Sequence, residues 1–166
     1  MILLTQQDNV RFHTVKILTD FDRTGERLST VSSLYFGENK KISHPEEVTY
    51  LVQEITRWRA YLDGVIDSIY RGKYSKVEHI LKNILRLGAY ELMFRNQIPD
   101  YAVVNEAVKL TRQLASEKAS GLTNAVLRKL LKVDYPEPGV VLQTKNPATL
   151  AEATSHPQWM VKRWLK

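Results

Sequence analysis

The sequence contains no cysteine and few residues that interrupt regular secondary structure, with seven Gly and six Pro among 166 residues. Without cysteine the chain cannot form disulfides, bind a metal through thiolates or use a cysteine nucleophile. Hydrophobic residues make up 43% of the chain and charged residues 25%. This composition is typical of one ordinary globular domain and excludes a disordered or fibrous chain.

Long apolar runs are also missing. Runs of about four residues, such as residues 1–4, are the longest, whereas a membrane span needs roughly 18. The first residues, MILLTQQDN, have neither the basic start nor the apolar segment of a signal peptide, and no Asn-X-Ser/Thr acceptor occurs. We therefore expect a cytoplasmic protein that does not contact a membrane.

The sequence lacks the motifs of a self-contained active site. Its glycines near helix starts are isolated, which excludes a P-loop and a dinucleotide fingerprint. The four histidines show no i, i+4 pairing and no carboxylate at ligand spacing, which argues against a metal site. We predict no catalytic residue, no metal and no cofactor, and hence a protein that is not an enzyme.

Helical periodicity recurs from Asn9 to about Lys132. We predict an all-α fold, a compact bundle of about seven helices with an extended, proline-containing C-terminal tail and a short terminal helix. Asp8 is predicted to cap a first helix that ends at Gly25, and a second helix is expected near residues 26–36. A third should begin at Pro45, continue or restart at residue 58, and end near residue 72.

The strongest helical pattern runs from Ser75, the predicted cap, to Phe94. Its apolar residues cover so wide a face that this helix should be central and largely buried. Residues 99–100 and 116–120 then separate two further helices. Asn105 and Asn124 interrupt the apolar faces of these two helices, and we interpret both as buried hydrogen-bonding groups.

The composition changes after the bundle, which we assign to residues 1–132. Residues 133–154 contain several prolines and no sustained helical stripe, so we assign them to a linker or tail. Residues 155–166, SHPQWMVKRWLK, are predicted to form a short helix. Its Trp159 and Trp164 would either pack back on the bundle or contact a partner.

Basic residues are concentrated in the last part of the bundle. The chain has 24 Lys and Arg against 18 Asp and Glu, a net charge of +6, and residues 101–132 hold six basic residues against two acidic ones. Such a cluster is typical of a surface that binds phosphate groups, and residues 118–121 open a helix whose free N–H groups favour an anion. A solvated helix face with cations that complement the helix dipole explains the same pattern, and composition leaves both interpretations open.

Three segments resemble, in order and separation, the signature segments of the NusB family: ILRLGAYELMF (84–94), IPDYAVVNEAVKL (98–110) and ASGLTNAVLRKLL (119–131). The resemblance covers about residues 8–132. It implies an all-helical RNA-binding bundle. Such bundles occur as the free-standing transcription antitermination factor and as the N-terminal domain of the RsmB/Sun rRNA cytosine-C5 methyltransferases.

Three features favour the second kind. Residues 155–166 resemble the segment that joins the NusB-like domain of those methyltransferases to their catalytic part, and free-standing NusB proteins normally finish soon after the helix that ends here near Lys132. The first helix also has only Arg11 and Lys16 before Arg23, whereas antitermination factors usually begin with an arginine-dense helix. We therefore expect the rRNA-engaging N-terminal module of a small-subunit rRNA methyltransferase, which ends before the catalytic domain. Without cysteine the chain cannot attack cytosine itself. The alternative is an antitermination factor that acts on nascent RNA.

The charge cluster and the resemblance together define the predicted RNA-contact residues. They are Arg11, Lys16, Arg112, Lys118, Arg128 and Lys129. The implied partners are RNA, either rRNA or a nascent transcript, and a catalytic methyltransferase domain or a NusE-like ribosomal protein. A third hypothesis, a protein-interaction scaffold, rests on the two tryptophans of the terminal helix.

Overall fold

A computed structural model describes residues 9–133, 135 and 145–165, and the regular elements within these ranges are helices. In chain order they are α1 (Val10–Thr24), α2 (Leu28–Glu38), α3 (Pro45–Arg57), α4 (Arg59–Ile69), a 3-10 turn (Tyr74–Lys76), α5 (His79–Phe94), α6 (Asp100–Leu114), α7 (Glu117–Leu130), α8 (Pro147–Ala153) and α9 (Gln158–Trp164). The predicted all-α bundle is confirmed. None of the described helices combines the length and apolar character that crossing a bilayer requires.

Local signals set the ends of α1. Asn9 caps its N-terminus, because the Asn9 side chain accepts a hydrogen bond from the Phe12 N–H at 3.1 Å. The predicted cap, Asp8, lies outside the described residues. Gly25 ends the helix in a left-handed conformation, with φ at +68°, and its N–H donates to the carbonyl of Phe21. The predicted end of the first helix is therefore confirmed.

The central helix, α5, starts later than its sequence pattern indicates. Ser75 was predicted as its cap, but Ser75 lies in the 3-10 turn, and Val77 is extended, with ψ at 138°. The helix therefore begins only at His79, and the predicted cap is wrong. The predicted burial of α5 is confirmed: it packs against α1, α4, α6 and α7, and all residues from 83 to 91 are buried.

A buried polar network ties α1, α4 and α5 together. Arg86 donates from Nε and Nη2 to the two carboxylate oxygens of Asp63, each at 2.7 Å, and from Nη1 to Asp22 at 3.1 Å. Asn83 also donates to Asp22, and Arg59 pairs with it at 2.6 Å. Burial disfavours the charge on Asp22, but attraction to Arg59 and Arg86 outweighs it and holds the pKa of Asp22 below its usual value.

Gly88 marks the close approach of α5 to α7. A Cβ added at Gly88 would lie 2.7 Å from Cδ1 of Leu127, a fully buried side chain. We expect Gly88→Ala to lower the free energy of unfolding by about 1–3 kcal/mol, the usual cost of overpacking. Chemical denaturation measures the change.

Gly121 of α7 provides the matched control for Gly88. Nothing lies within 4 Å of a Cβ added there, so Gly121→Ala should stabilise the helix by about 0.5–1 kcal/mol. If both substitutions stabilised the protein, the close packing between α5 and α7 would not limit the residue at position 88.

Residues 147–153, which we assigned to the linker from the sequence, form α8. Asn146 caps this helix through a hydrogen bond from the Ala148 N–H at 2.9 Å, and Pro147 occupies its first position. Seven residues are too few for a periodic pattern to be visible in the sequence. Pro136 and Pro138 of the predicted tail lie outside the described residues.

The short terminal helix was predicted and is present as α9. It packs on α8 through a small apolar cluster of Leu150, Ala151 and Val161, and α8 packs on α4. The Ala60 N–H of α4 also donates to the Ser155 hydroxyl at 3.2 Å. Trp159 and Trp164 nevertheless point to solvent, with 64% and 62% of their surface exposed. The pair of helices thus packs on the bundle while its tryptophans stay exposed.

Candidate nucleic-acid interface

A groove runs between α6 and α7, the two helices formed by the basic-rich part of the sequence. These two helices form the most extensive helix pair in the described structure, and a buried hydrogen bond of 2.9 Å joins the hydroxyls of Thr111 and Thr123 across it. Ser116 fixes the start of α7, because its hydroxyl accepts a hydrogen bond from the Ala119 N–H at 3.1 Å. A cavity of about 330 Å³ lies in the groove.

Two of the six predicted contact residues line this groove. Arg112 comes from α6 and Arg128 from α7, although 16 positions separate them in the sequence. Arg128 donates from Nε to the neutral side chain of Asn124 at 2.9 Å, which positions the guanidinium without neutralising it. Arg112 pairs with Glu117 at 2.9 Å, but both side chains are mostly exposed. Such a surface pair contributes at most about 1 kcal/mol, so a phosphate can replace its carboxylate.

The groove also contains groups that the charge count did not select. Tyr101 lies on its wall with 78% of its surface exposed, and Asn105 is exposed beside it. The interpretation of Asn105 as a buried group is wrong, because it lies on the groove side of α6 and not on the face that carries the core residues Val104 and Ala107. Asn124 is half-buried. The position of Tyr101, away from the apolar stripe of α6, is the sequence signal that indicates an exposed aromatic residue.

The two other predicted residues of α7 lie outside this cavity. Lys118 is exposed on the first turn of α7 and forms no ion pair with a described residue. Lys129 donates from Nζ to the carbonyl of Ile69 at 3.2 Å. Since Ile69 is the last residue of α4, the lysine complements the negative end of that helix.

The two predicted residues of α1 lie elsewhere. Arg11 donates from Nε to both carboxylate oxygens of Glu91, at 2.8 and 3.1 Å, and Glu91 is only 2% exposed. Arg95 approaches the same carboxylate at 4.0 Å. Lys16 is half-buried and forms no ion pair within the described residues. The structure therefore brings Arg112 and Arg128 together and places Arg11 in an internal ion pair.

No group of three His, Asp or Glu side chains in the described ranges has the arrangement of a metal site. The groove between α6 and α7 instead combines two guanidinium groups, an exposed phenol ring and two amides. Guanidinium groups bind phosphate, aromatic rings stack on bases, and amides hydrogen-bond to base edges. The chemistry of this groove suits a nucleic acid better than a small-molecule substrate.

The seven helices α1–α7 and the cationic groove define a helical binding domain. The sequence pattern of the NusB family matches residues 8–132, which span all seven helices, and the chain belongs to this family. The family membership predicted from the three segments is confirmed.

The comparisons with individual proteins include both kinds of NusB-like protein. The chain is 28% identical over 133 residues to the transcription antitermination protein NusB of Ruminiclostridium cellulolyticum, a match that covers 69% of this chain and 92% of the relative. It is 32% identical over 93 residues to the probable ribosomal RNA small subunit methyltransferase B of Bacillus subtilis. That match covers 55% of this chain and only 20% of the methyltransferase.

Solved structures give the same result for the fold. A crystal structure of the antitermination factors NusB and NusE in complex with dsRNA superposes with a TM-score of 0.67 at 25% identity, over 74% of this chain and 93% of the other. NusB from T. maritima matches with a TM-score of 0.68 at 23% identity, over 80% and 94% of the two chains. The preference for the methyltransferase relationship is not supported, because the Ruminiclostridium cellulolyticum factor and the two solved NusB structures match over 92–94% of their length, whereas the methyltransferase matches over 20%.

Proposed function

We propose that this protein is a non-enzymatic RNA-binding factor of the antitermination type, and that it holds unpaired RNA in the groove between α6 and α7. One observation carries the proposal: the groove collects Arg112, Arg128 and Tyr101 from two helices around one cavity. Arginines would bind the phosphates, and the exposed ring would stack on a base, which requires a base that is not paired.

The other four predicted residues are assigned different roles in this proposal. Lys118 is one turn from the groove on α7, and we include it as a phosphate contact. Lys16 and Lys129 are weaker candidates, because Lys16 is half-buried and Lys129 already donates to the carbonyl of Ile69. We assign Arg11 a structural role, because its ion pair with Glu91 already occupies its Nε.

A protein partner is part of the proposal. The similar structure of NusB with NusE and dsRNA suggests that this chain, too, acts on RNA together with a small ribosomal protein. Co-purification with such a protein, and tighter RNA binding in its presence, would support this assignment. RNA binding that the ribosomal protein leaves unchanged would contradict it.

The groove is tested by neutralising its two arginines. We expect the double variant Arg112→Gln with Arg128→Gln to bind an unpaired RNA oligonucleotide about 10- to 100-fold more weakly, because two phosphate contacts are lost. The slope of log affinity against log salt should fall by about 1.4, at roughly 0.7 per phosphate on single strands. Fluorescence anisotropy at several salt concentrations measures both quantities.

The matched control removes the same charge elsewhere. Lys40 and Lys41 are exposed in the loop after α2, and their replacement by Gln should change RNA affinity less than about threefold. Equal weakening by both double variants would mean that only the net charge matters and that the groove is not the binding site.

A second candidate function has one observation in its favour. The chain matches part of an rRNA methyltransferase at 32% identity, and it continues past the family match at residue 132 with α8 and α9. In this alternative the protein engages small-subunit rRNA for a methyltransferase, and its exposed tryptophans contact the catalytic domain. Preference for a small-subunit rRNA fragment over a leader transcript, with no response to the ribosomal protein, would favour this alternative.

A further inference from the structure

A second cationic surface lies at the other side of the start of α7. A cavity of about 500 Å³ opens between the turn of residues 70–76 and the corner where α6 passes into α7. Its lining includes Arg71, Lys73 and Lys76 from the turn, the exposed Glu78 just after the turn, and Ser116 from the start of α7. We call these three cations the turn cluster. The charge count over residues 101–132 could not detect it, because the turn lies earlier in the chain.

The turn cluster, like Lys16, Lys118 and Arg128, has no carboxylate ion-pair partner among the described residues, whereas the arginines of the buried network do. Arg71, Lys73 and Lys76 are exposed, and none forms an ion pair with a described residue. By contrast, Arg59 and Arg86 are each paired with a carboxylate within 3 Å. Three exposed cations in six residues outnumber the one carboxylate that lines the same cavity, Glu78, and produce a local positive field that attracts a polyanion.

A hydrogen bond between the turn and α4 holds the turn in place. Tyr74 is buried, and its hydroxyl donates to Asp63 at 2.8 Å. Burial, together with the adjacent Asp63 charge, raises the pKa of Tyr74, so the hydroxyl stays a donor. Gly72 takes the positive φ, +129°, that lets the chain reverse between Arg71 and Lys73. The backbone that carries the cations is therefore anchored to the core.

The first turns of α7 separate the turn cluster from the groove. Ser116 and Ala119 border the turn cavity, whereas Ser120 and Gly121 border the groove. Residues four positions apart on a helix are separated by about 6 Å along its axis. Lys118 is exposed on the same turn. Lys118 thus lies between the groove and the turn cluster, next to Glu117, whose carboxylate pairs with Arg112 of the groove.

We propose that the turn cluster is a second phosphate-binding surface, which takes the backbone of an RNA strand that leaves the α6–α7 groove across the start of α7. The proposal rests on the proposed RNA-binding function and extends it. The lysine content favours RNA over a protein partner, because lysine is depleted at protein interfaces, whereas Lys and Arg supply most backbone contacts to nucleic acids.

The test compares RNA oligonucleotides of two lengths, about 5 and about 15 nucleotides, because only the longer one can reach both surfaces. The triple variant with Arg71, Lys73 and Lys76 replaced by Gln is expected to bind the longer RNA about 10- to 100-fold more weakly, with a salt slope lower by about 2. Binding of the shorter RNA should be unchanged within about threefold. Fluorescence anisotropy measures both.

A control triple variant carries the same charge change at Arg27, Lys40 and Lys41, which are exposed around α2. It should bind both oligonucleotides nearly as the wild type does. Thermal melting of both triple variants should match the wild type, since all six side chains are exposed.

Three results would overturn the inference. Unchanged binding of the longer RNA by the turn variant excludes a backbone contact there, and equal loss in both triple variants reduces the effect to net charge. Unchanged RNA binding with loss of the small ribosomal protein would assign the surface to a protein. If the groove variant also bound as wild type, or the wild type bound neither RNA, the proposed function itself would fail.

Discussion

Arg86→Met should lower the free energy of unfolding by about 3 kcal/mol or more, although the new side chain is apolar and of similar length. The guanidinium is 5% exposed and makes the bidentate pair with Asp63 and a further bond to Asp22. Removing it leaves the Asp22 carboxylate, 2% exposed, with one arginine fewer. Breaking a buried ion pair from one side costs about 3–5 kcal/mol. Urea denaturation of the two proteins measures the difference.

Arg57→Met is the control for Arg86→Met. Arg57 also forms an ion pair, with Glu54 at 2.6 Å, but its side chain is 69% exposed. A surface pair of this kind is worth about 0–1 kcal/mol, so the control should be nearly neutral. If Arg86→Met were equally mild, water or a side-chain rearrangement would satisfy both aspartates, and the network would not hold α1, α4 and α5 together.

The fold could be predicted from the sequence where local chemistry decides it. Gly25 ends α1 because glycine readily adopts the left-handed backbone conformation that this helix end requires. The spacing of apolar residues along α5 likewise predicts a buried helix, whichever elements pack against it. Where a structural feature depends on residues that are distant in the sequence, the sequence pattern did not predict it. The late start of α5 depends on the 3-10 turn that Tyr74 anchors to Asp63, a contact with α4.

The candidate interface also combines features that the local sequence indicates with features that depend on distant residues. The local excess of basic residues selects Arg112 and Arg128, which the fold brings to one cavity, because both belong to one stretch of sequence. The same excess includes Lys129, and the family resemblance adds Arg11. The sequence does not reveal that both already have partners, the carbonyl of Ile69 and the carboxylate of Glu91, because these are 60 and 80 positions away. The turn cluster of residues 71, 73 and 76 lies outside that stretch of sequence, and only the fold shows that its cations have no described ion-pair partner. Whether a cation is available for a ligand depends on the carboxylates and carbonyl groups that folding places beside it.

Arg11→Met tests this distinction, because sequence and structure assign Arg11 different roles. The structural role predicts a loss of about 2–4 kcal/mol in the free energy of unfolding, since Glu91 is left buried with only Arg95 near it, at 4.0 Å. It also predicts unchanged RNA affinity and salt slope at temperatures where the variant is folded. A phosphate contact predicts the reverse: little change in stability, weaker RNA binding and a slope lower by about 0.7.

The double variant Arg11→Met with Glu91→Gln separates the ion pair from the packing of the arginine. Glu91→Gln removes the charge that Arg11→Met leaves unpaired, so the double variant should be more stable than Arg11→Met alone. We expect a coupling energy of about 1–3 kcal/mol, in the range of residues in direct contact. Additive losses would mean that the contact between Arg11 and Glu91 contributes nothing, and Arg11 would again be a candidate for the RNA surface.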